Sequence, residues 1–383
     1  MQIEVPDFNQ AIEFHTMQLK ATYQKHTLQF KFDAGTSRGV LRERDVYFIR
    51  IYDDRHPNLS GWGECGALSG LSLDDRPDFE THLAHICHKI STSPFDVNNV
   101  WSNSSEIINI FCTYFVPETF PSIRFGIETA LYDRLNGGRR LIFKNDFYKG
   151  KKAIPINGLI WMGQPDFMLS QIEQKLEQGY KCLKMKIGAI GWKEELAILQ
   201  MLRQRFSADQ LTLRVDANGA FLPHQAPEIL QILADLQIHS IEQPIAAGQT
   251  QAMAELCRIS PVPIALDEEL IRCTDFDARA ALLQVLKPAY LILKPSLLGG
   301  FAACQDWIEL AANHNISWWI TSALESNVGL NAIAQFTAQF PNTAAMPQGL
   351  GTGQLYHNNI DSPLQIKDGF LHYAPSEAWG TIF

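Results

Sequence analysis

KCLKMKIG, residues 181–188, has the length and flanks of a short buried strand, yet three of its first six residues are lysines. Side chains of a strand alternate between faces, so Lys184 and Lys186 share one face while Leu183, Met185 and Ile187 share the other. Two ammonium groups side by side on a core strand call for counter-charge. The strand-like runs that follow supply it: LTLRVDA (211–217) ends with Asp216, HSIEQP (239–244) with Glu242, PVPIALDE (261–268) with Asp267 and Glu268, and YLILKPS (290–296) with Lys294. Adding IPINGLIW (154–161), ISWWITS (316–322) and AAMPQG (344–349) gives eight strand candidates. Helical patterns separate them, such as DFMLSQIEQKLEQG (166–179), with Met168, Ile172 and Leu176 at helical spacing and Gly179 as a stop. Eight strand–helix units over roughly 200 residues predict a (β/α)8 barrel of the TIM type. An open doubly wound sheet is the alternative, but the exit of the first strand, WMGQPD, lacks a Gly-rich fingerprint.

Residues 1–150 read as a separate α+β capping domain and residues 151–360 as the barrel. TLQFKF (27–32) and DVYFIRIYD (45–53) alternate as antiparallel strands, and helices are expected over about 74–91 and 121–137. The charged stretch DAGTSRGVLRERD (33–45) and the Gly- and Ser-rich GWGECGALSGLS (61–72) are expected to be long loops of the kind that often hold function. LQIKDGFLHY (364–373) reads as a hairpin around Asp368-Gly369, expected within 361–383 to return to the N-terminal sheet.

Charge and composition exclude several classes of function. With 32 basic against 41 acidic residues, the net charge of −9 lacks the footprint of a non-specific nucleic-acid or anionic-membrane binder. No apolar run is long enough to span a bilayer, and MQIEVPDFNQ is not a signal peptide. Seven scattered cysteines, an odd number, point to buried thiols in a reduced, cytoplasmic setting. His82, His85, Cys87 and His88 in HLAHICHK fall within one helix, so surface histidines are favoured over a zinc site.

In a barrel, functional groups stand at the C-terminal ends of the strands. Asp216, Glu242 and Asp267 follow one another at intervals of 26 and 25 residues, about one strand–helix unit each, and should converge at the mouth. Three such carboxylates need a cation, and an all-oxygen set favours Mg²⁺, with Mn²⁺ as a substitute. Lys186 and Lys294 lie either side of this arc. A lysine made neutral by burial and by the neighbouring Lys184 suits removal of a proton α to a carboxylate.

This ordered set, Lys-x-Lys, Asp, Glu, Asp and Lys on strands two to six, resembles the muconate-lactonizing subgroup of the enolase superfamily over nearly the whole chain. TSALESNVGL (321–330) and QGLGTGQL (348–355) are similar to the seventh- and eighth-strand segments of o-succinylbenzoate synthases, lyases of menaquinone biosynthesis. The Asp-x-Asp that holds an ammonium in the subgroup's dipeptide epimerases is missing from Gly349–Gly353. The resemblance implies a Mg²⁺-dependent syn-dehydration of a small carboxylate substrate, with the expected loops at 33–45 and 61–72 closing over it. Lys186 is then the base and afterwards the acid, Lys294 the cation opposite it, and Lys184 the group that tunes Lys186. It implies substrate contacts from Ser322, Gly351, Thr352 and Gly353, and supporting roles for Asn218, Glu268 and Glu325. Arg38 and Arg42, at the first loop, are candidates for a substrate carboxylate or ordinary loop charges. The rivals are an N-succinylamino acid racemase, using Lys186 and Lys294 as opposed bases, and a non-catalytic binding protein. A sugar-acid dehydratase would require a late His base, and neither His314 nor His357 is suitably placed.

Overall fold

The computed structural model describes residues 19–36, 39–95, 104–188 and 191–382. Leu19–Thr36 (β1), Gly39–Asp53 (β2) and His56–Cys65 (β3) form an antiparallel sheet. Along β2 every central side chain is buried, because the sheet is covered on both faces. Tyr47, Ile49 and Ile51 pack with the helices Phe79–Thr92 (α1), Ser104–Phe115 (α2) and Pro121–Leu135 (α3). Val46 and Phe48 join the core of the barrel instead. Burying a side chain such as Phe48 stabilises by about 1.5–3 kcal/mol, so this strand holds the two halves of the molecule together.

Both expected loops are partly strand. Most of 33–45 extends the β1–β2 hairpin: Ala34 pairs with Leu41 and Thr36 with Gly39 beyond a register shift. Its charges misled, since a hairpin arm that projects past the core solvates its side chains without losing its ladder. The first half of 61–72 belongs to β3. There Gly61 and Gly63 face α3 so closely that an added Cβ would sit 1.8 Å from Ala130 O and 1.9 Å from Gly126 O. The glycines permit helix–strand contact rather than a turn. On α1, His85 and His88 are exposed while Cys87 lies on the buried face.

The barrel strands are Gly158–Ile160 (β5, just after the two-residue β4, Ile154–Pro155), Cys182–Lys186 (β6), Thr212–Asp216 (β7), Ser240–Glu242 (β8), Ile264–Leu266 (β9), Tyr290–Leu293 (β10) and Ser317–Ile320 (β11), parallel and adjacent in chain order. The helices around them are Pro165–Glu177 (α4), Trp192–Arg205 (α5), Ala226–Asp235 (α6), Thr250–Ile259 (α7), Phe276–Leu286 (α8), Pro295–Leu298 (α9), Gly300–Asn313 (α10) and Asn327–Thr337 (α11). The expected eighth strand shrinks to Gln348 and Gly349, which bridge Ile156 on one side and Thr321 on the other. Pro347 cannot donate to a ladder, which shortens the strand. The sheet nonetheless closes, through Asn157 N–H to Gln348 O (2.9 Å) and Gly349 N–H to Ile320 O (2.9 Å). The predicted capped barrel, rather than an open sheet, is the fold.

The C-terminal hairpin corrects an expectation. Leu364–Lys367 (β12) and Phe370–Tyr373 (β13) turn at Asp368-Gly369 as read, but β13 pairs with β4 at the barrel entrance and not with the N-terminal sheet. The return to β1 comes earlier, where Lys31 N–H donates to Leu355 O and His357 N–H to Gln29 O, each at 2.9 Å.

Two buried acids dock the cap onto barrel helices. Glu64 on β3 accepts Ser326 N–H and Gly329 N–H (both 2.9 Å) at the start of α11. Glu128 on α3 accepts Phe301 N–H and, at 3.2 Å, Ala302 N–H at the start of α10. These positions satisfy donors that a helix leaves unpaired, in the favourable sense of its dipole. Burial nevertheless pushes the Glu128 carboxyl up to about 7, although Arg124 and the two N–H groups oppose it. A carboxyl raised in the folded state contributes stability below its unfolded pKa of about 4.5, and this is lost as pH rises through the folded value. Glu128→Gln should therefore gain stability relative to the parent by up to about 3 kcal/mol between pH 4.5 and pH 8. Urea melts across that range test this; parallel pH profiles would remove Glu128 as a titrating contact.

Candidate active site

The strand ends meet as their spacing requires. Lys186, Asp216 and Glu242 are register neighbours across β6, β7 and β8, while Asp267 and Lys294 directly follow β9 and β10. Lys184, Lys186, Asp216, Glu242 and Asp267 are buried, and the side chain of Lys294 is 12% exposed. Lys184 Nζ bridges Asp216 Oδ2 at 2.9 Å and Glu242 Oε2 at 2.6 Å. Lys186 Nζ stands 3.3 Å from the same Asp216 oxygen and donates to Asn218 Oδ1 at 2.6 Å. Lys294 is paired with Asp267.

These pairings set the charges. Burial alone would lower Lys184, but Asp216 and Glu242 together hold it above the usual lysine range. The same balance holds for Lys294, where burial is outweighed chiefly by Asp267. Asp216 would be raised by burial, yet Lys184 and Lys186 hold its carboxyl far below the ordinary range. Burial and the neighbouring Asp216 push Glu242 up to about 7, against the pull of Lys184. Burial likewise raises Asp267. For Lys184 and Lys294 the carboxylate at contact distance thus outweighs burial.

The acids suit a hard divalent cation. Among the described residues no three acids, histidines or cysteines are drawn into a closed metal cage, and lysine ammoniums lie between the carboxylates instead. Glu242 Oε1, however, is buried without a hydrogen-bond partner. Oxygen donors from three adjacent strands, one of them unpaired, fit Mg²⁺.

A cavity of about 540 Å³ opens above this floor, lined by Lys184, Lys186, Asp216, Asn218 and Lys294. Glu242 and Asp267 lie beneath the lysines. Ser322 and Thr352 line one wall, their hydroxyls 2.6 Å apart, and Gly351 lies beside them. Gly353 does not face the cavity: an added Cβ would meet the Asn327 side chain, and its carbonyl accepts from Asn359. Glu325 sits behind the wall, accepting from Ser296 and from Ala323 N–H. Asn218 touches the lysine and the acids alike, since its N–H donates to Asp216 Oδ1 and its amide to Glu268 Oε1, each at 3.0 Å. Its left-handed backbone, at φ 44°, suits an Asn at a strand exit.

The cap contributes Phe32, Leu41 and Leu68 to the cavity. Arg42 is spent elsewhere, in an exposed pair with Asp33 (2.9 Å), and Arg38 lies outside the described residues. Sequence reasoning passed over Arg44, which is buried and donates to Gly66 O (2.8 Å) and Ala323 O (2.6 Å), tying a cap loop to the seventh-strand loop. It lay in the stretch read as a solvated loop. Asn157, Lys175 and Tyr180 also line the cavity. Of these, only Asn157 left a signal, as a polar residue two places before Leu159 on the inward face of the first strand.

A family model described as "Enolase C-terminal domain-like" matches residues 168–380. The o-succinylbenzoate synthase of Desulfotalea psychrophila is 47% identical over 368 residues, covering 92% of this chain and 98% of that protein. The crystal structure of MenC from Desulfotalea psychrophila superposes with a TM-score of 0.82 at 42% identity, covering 93% of this chain and 99% of that one. Muconate lactonizing enzyme from Pseudomonas putida shares the fold, with a TM-score of 0.72 at 19% identity over 94% of this chain and 96% of its own. A closed barrel bearing Lys-x-Lys, Asp, Glu, Asp and Lys at successive strand ends, with these relatives, places the chain in the enolase superfamily, within its muconate-lactonizing subgroup.

Proposed function

We propose that the chain is a cytoplasmic lyase with o-succinylbenzoate synthase activity, forming 2-succinylbenzoate from 2-succinyl-6-hydroxy-2,4-cyclohexadiene-1-carboxylate in menaquinone biosynthesis. The observation that carries this reading is the pair of lysines, Lys186 and Lys294, standing on strands either side of three acids at the floor of one cavity. The relative at 47% identity supports the substrate, as does the acid-free segment Gly349–Gly353, which suits an anionic substrate without an amine.

Asp216, Glu242 and Asp267 would hold Mg²⁺, or Mn²⁺ in its place, which supplies positive charge to the substrate carboxylate and to the enediolate derived from it. Lys186 in its neutral form takes the proton α to that carboxylate, and the C–H electron pair moves into the carboxylate. Collapse of the enediolate forms the ring double bond and breaks the C–O bond. The Lys186 ammonium gives its proton to the departing hydroxyl, which leaves as water. Lys294 remains a cation facing the developing negative charge. Lys184, bonded to both Asp216 and Glu242, keeps these acids apart and oriented. Asn218 fixes the Lys186 amine by accepting its hydrogen bond while anchored to Glu268. Ser322, Thr352 and the Gly351 backbone contact the substrate from the wall.

Dehydration is followed by the ultraviolet absorbance of 2-succinylbenzoate. Product should appear with the parent enzyme, vanish with EDTA and return with added Mg²⁺. Lys186→Ala should lose at least about 10³-fold in kcat while still binding Mg²⁺; near-parental turnover in that variant would falsify the assigned base. In D₂O, N-succinylphenylalanine distinguishes the racemase: α-deuteration as fast as dehydration would make racemization an equal activity of the site. Asn218→Ala should lower kcat by about 10- to 100-fold with KM within a few-fold, since a hydrogen bond to a charged group is worth about 1.5–3 kcal/mol. A purely structural Asn218 would show lost stability with kcat of the folded fraction unchanged.

A further inference from the structure

The cavity has a second end that the chemistry above leaves unused. Beyond the bridge at Gln348 and Gly349, no ladder bond among the described residues joins β5 to segment 350–355, which leaves a seam between the first barrel strand and the segment closing the barrel. Gly351 keeps this seam clear. The nearest atoms to an added Cβ would be Ile156 Cδ1 at 3.7 Å, Asn157 O at 3.8 Å and the Tyr180 hydroxyl at 4.0 Å. Lys175 on α4 reaches the same place, its ammonium 5.0 Å from the centroid of the Tyr180 ring. Asn157, Lys175, Tyr180 and Gly351 line one cavity together with Lys184, Lys186 and Lys294.

Polar groups at this end lack partners. Asn157 is 4% exposed, and its Oδ1 makes no hydrogen bond. Tyr180 is 2% exposed, and among the described residues its hydroxyl has no hydrogen-bond partner. Lys175 pairs with no carboxylate among them; its one polar contact is Gln178 Oε1 at 3.4 Å. Burial, with no acid to oppose it, lowers the lysine. A half-buried ammonium without an acid and a phenol hydroxyl face this space, where a bound anion would supply the charged acceptor that both lack. Asn157 Oδ1, an acceptor, lines the same space; the donors that suit a carboxylate are Lys175 N⁺–H and Tyr180 O–H.

We propose that Lys175 and Tyr180 form an anion subsite that takes the substrate's second carboxylate, at the end of the succinyl arm, and thereby selects the arm. The assignment rests on the function proposed above. The acid next to the ring lies over the catalytic floor while the arm runs into the seam, so a diacid spans both ends of the cavity. Gly351 is the place where a side chain would block the arm.

The test compares two ligands, 2-succinylbenzoate and 2-butanoylbenzoate, in which a methyl group replaces the terminal carboxylate. Calorimetry with the Mg²⁺-loaded parent should show a preference for the diacid of at least tenfold. Lys175→Met keeps the stem without the charge. It should weaken the diacid by about 10- to 100-fold, leave the monoacid within twofold, and raise KM for dehydration with little change in kcat. Lys175→Arg should restore part of the preference, and Tyr180→Phe should lose a smaller part. Equal discrimination by Lys175→Met and the parent overturns the subsite while leaving the dehydration mechanism standing. A parent enzyme that neither dehydrates the substrate nor binds 2-succinylbenzoate overturns both.

Discussion

Two ammonium groups converge on one carboxylate oxygen at the floor of the barrel. Asp216 Oδ2 lies 2.9 Å from Lys184 Nζ and 3.3 Å from Lys186 Nζ. Each of these ions would be costly alone in a buried setting, and removing any one strands the others. The arrangement therefore dictates much of what surrounds it. Lys184 needs a second acid, found in Glu242 on the next strand. Lys186 needs a further acceptor, found in the neutral amide of Asn218. The parallel register of β6, β7 and β8 supplies all of these at one height, because a barrel places equivalent positions of adjacent strands side by side.

The floor works only beneath a roof, and the roof is fixed by the same kind of interaction. Glu64 and Glu128 each leave the cap to sit at the start of a barrel helix, and Arg44 links the carbonyls of Gly66 and Ala323. Through Ala323 this contact reaches the wall itself. Ala323 N–H donates to Glu325, which also holds Ser296, two residues past Lys294. The cap, the seventh-strand loop and the sixth-strand lysine are thus joined by a short chain of hydrogen bonds. Buried polar links of this kind fix geometry where apolar packing alone would permit sliding.

What could be read in the sequence was whatever depends on period and interval. Alternation placed Lys184 and Lys186 on one face, and the repeat of strand and helix placed Asp216, Glu242 and Asp267 at one mouth. Signals with more than one physical cause misled. Gly61 and Gly63 looked like a loop but serve close packing on α3, and the charges of 33–45 looked like a loop but decorate a hairpin arm. The partner of the C-terminal hairpin was beyond reach, since pairing with Ile154–Pro155 depends on where the closed barrel leaves an open edge. Lys175, Tyr180 and Asn157 were hidden for a similar reason. They come from a helix, a loop and the residue just before β5, and no strand or helix period in the chain relates them.

The shortness of the eighth strand ties these observations together. Pro347 withholds a ladder donor, and side chains complete the closure: Gln348 Oε1 accepts Ile320 N–H at 2.8 Å, Thr321 Oγ1 donates to Gly349 O at 2.8 Å, and Arg214, stacked on Trp319 inside the barrel, donates to Pro347 O at 2.8 Å. A longer strand would have needed none of these bonds. It would also have continued beside β5 and narrowed the cavity next to Tyr180 and Lys175. Because the eighth strand ends after two residues, no ladder among the described residues binds the chain after Gly349 to β5. The same economy explains the glycines of 349–353: with no ladder to continue, this segment serves as cavity wall at Gly351 and Thr352, then turns at Gly353 to pack on Asn327.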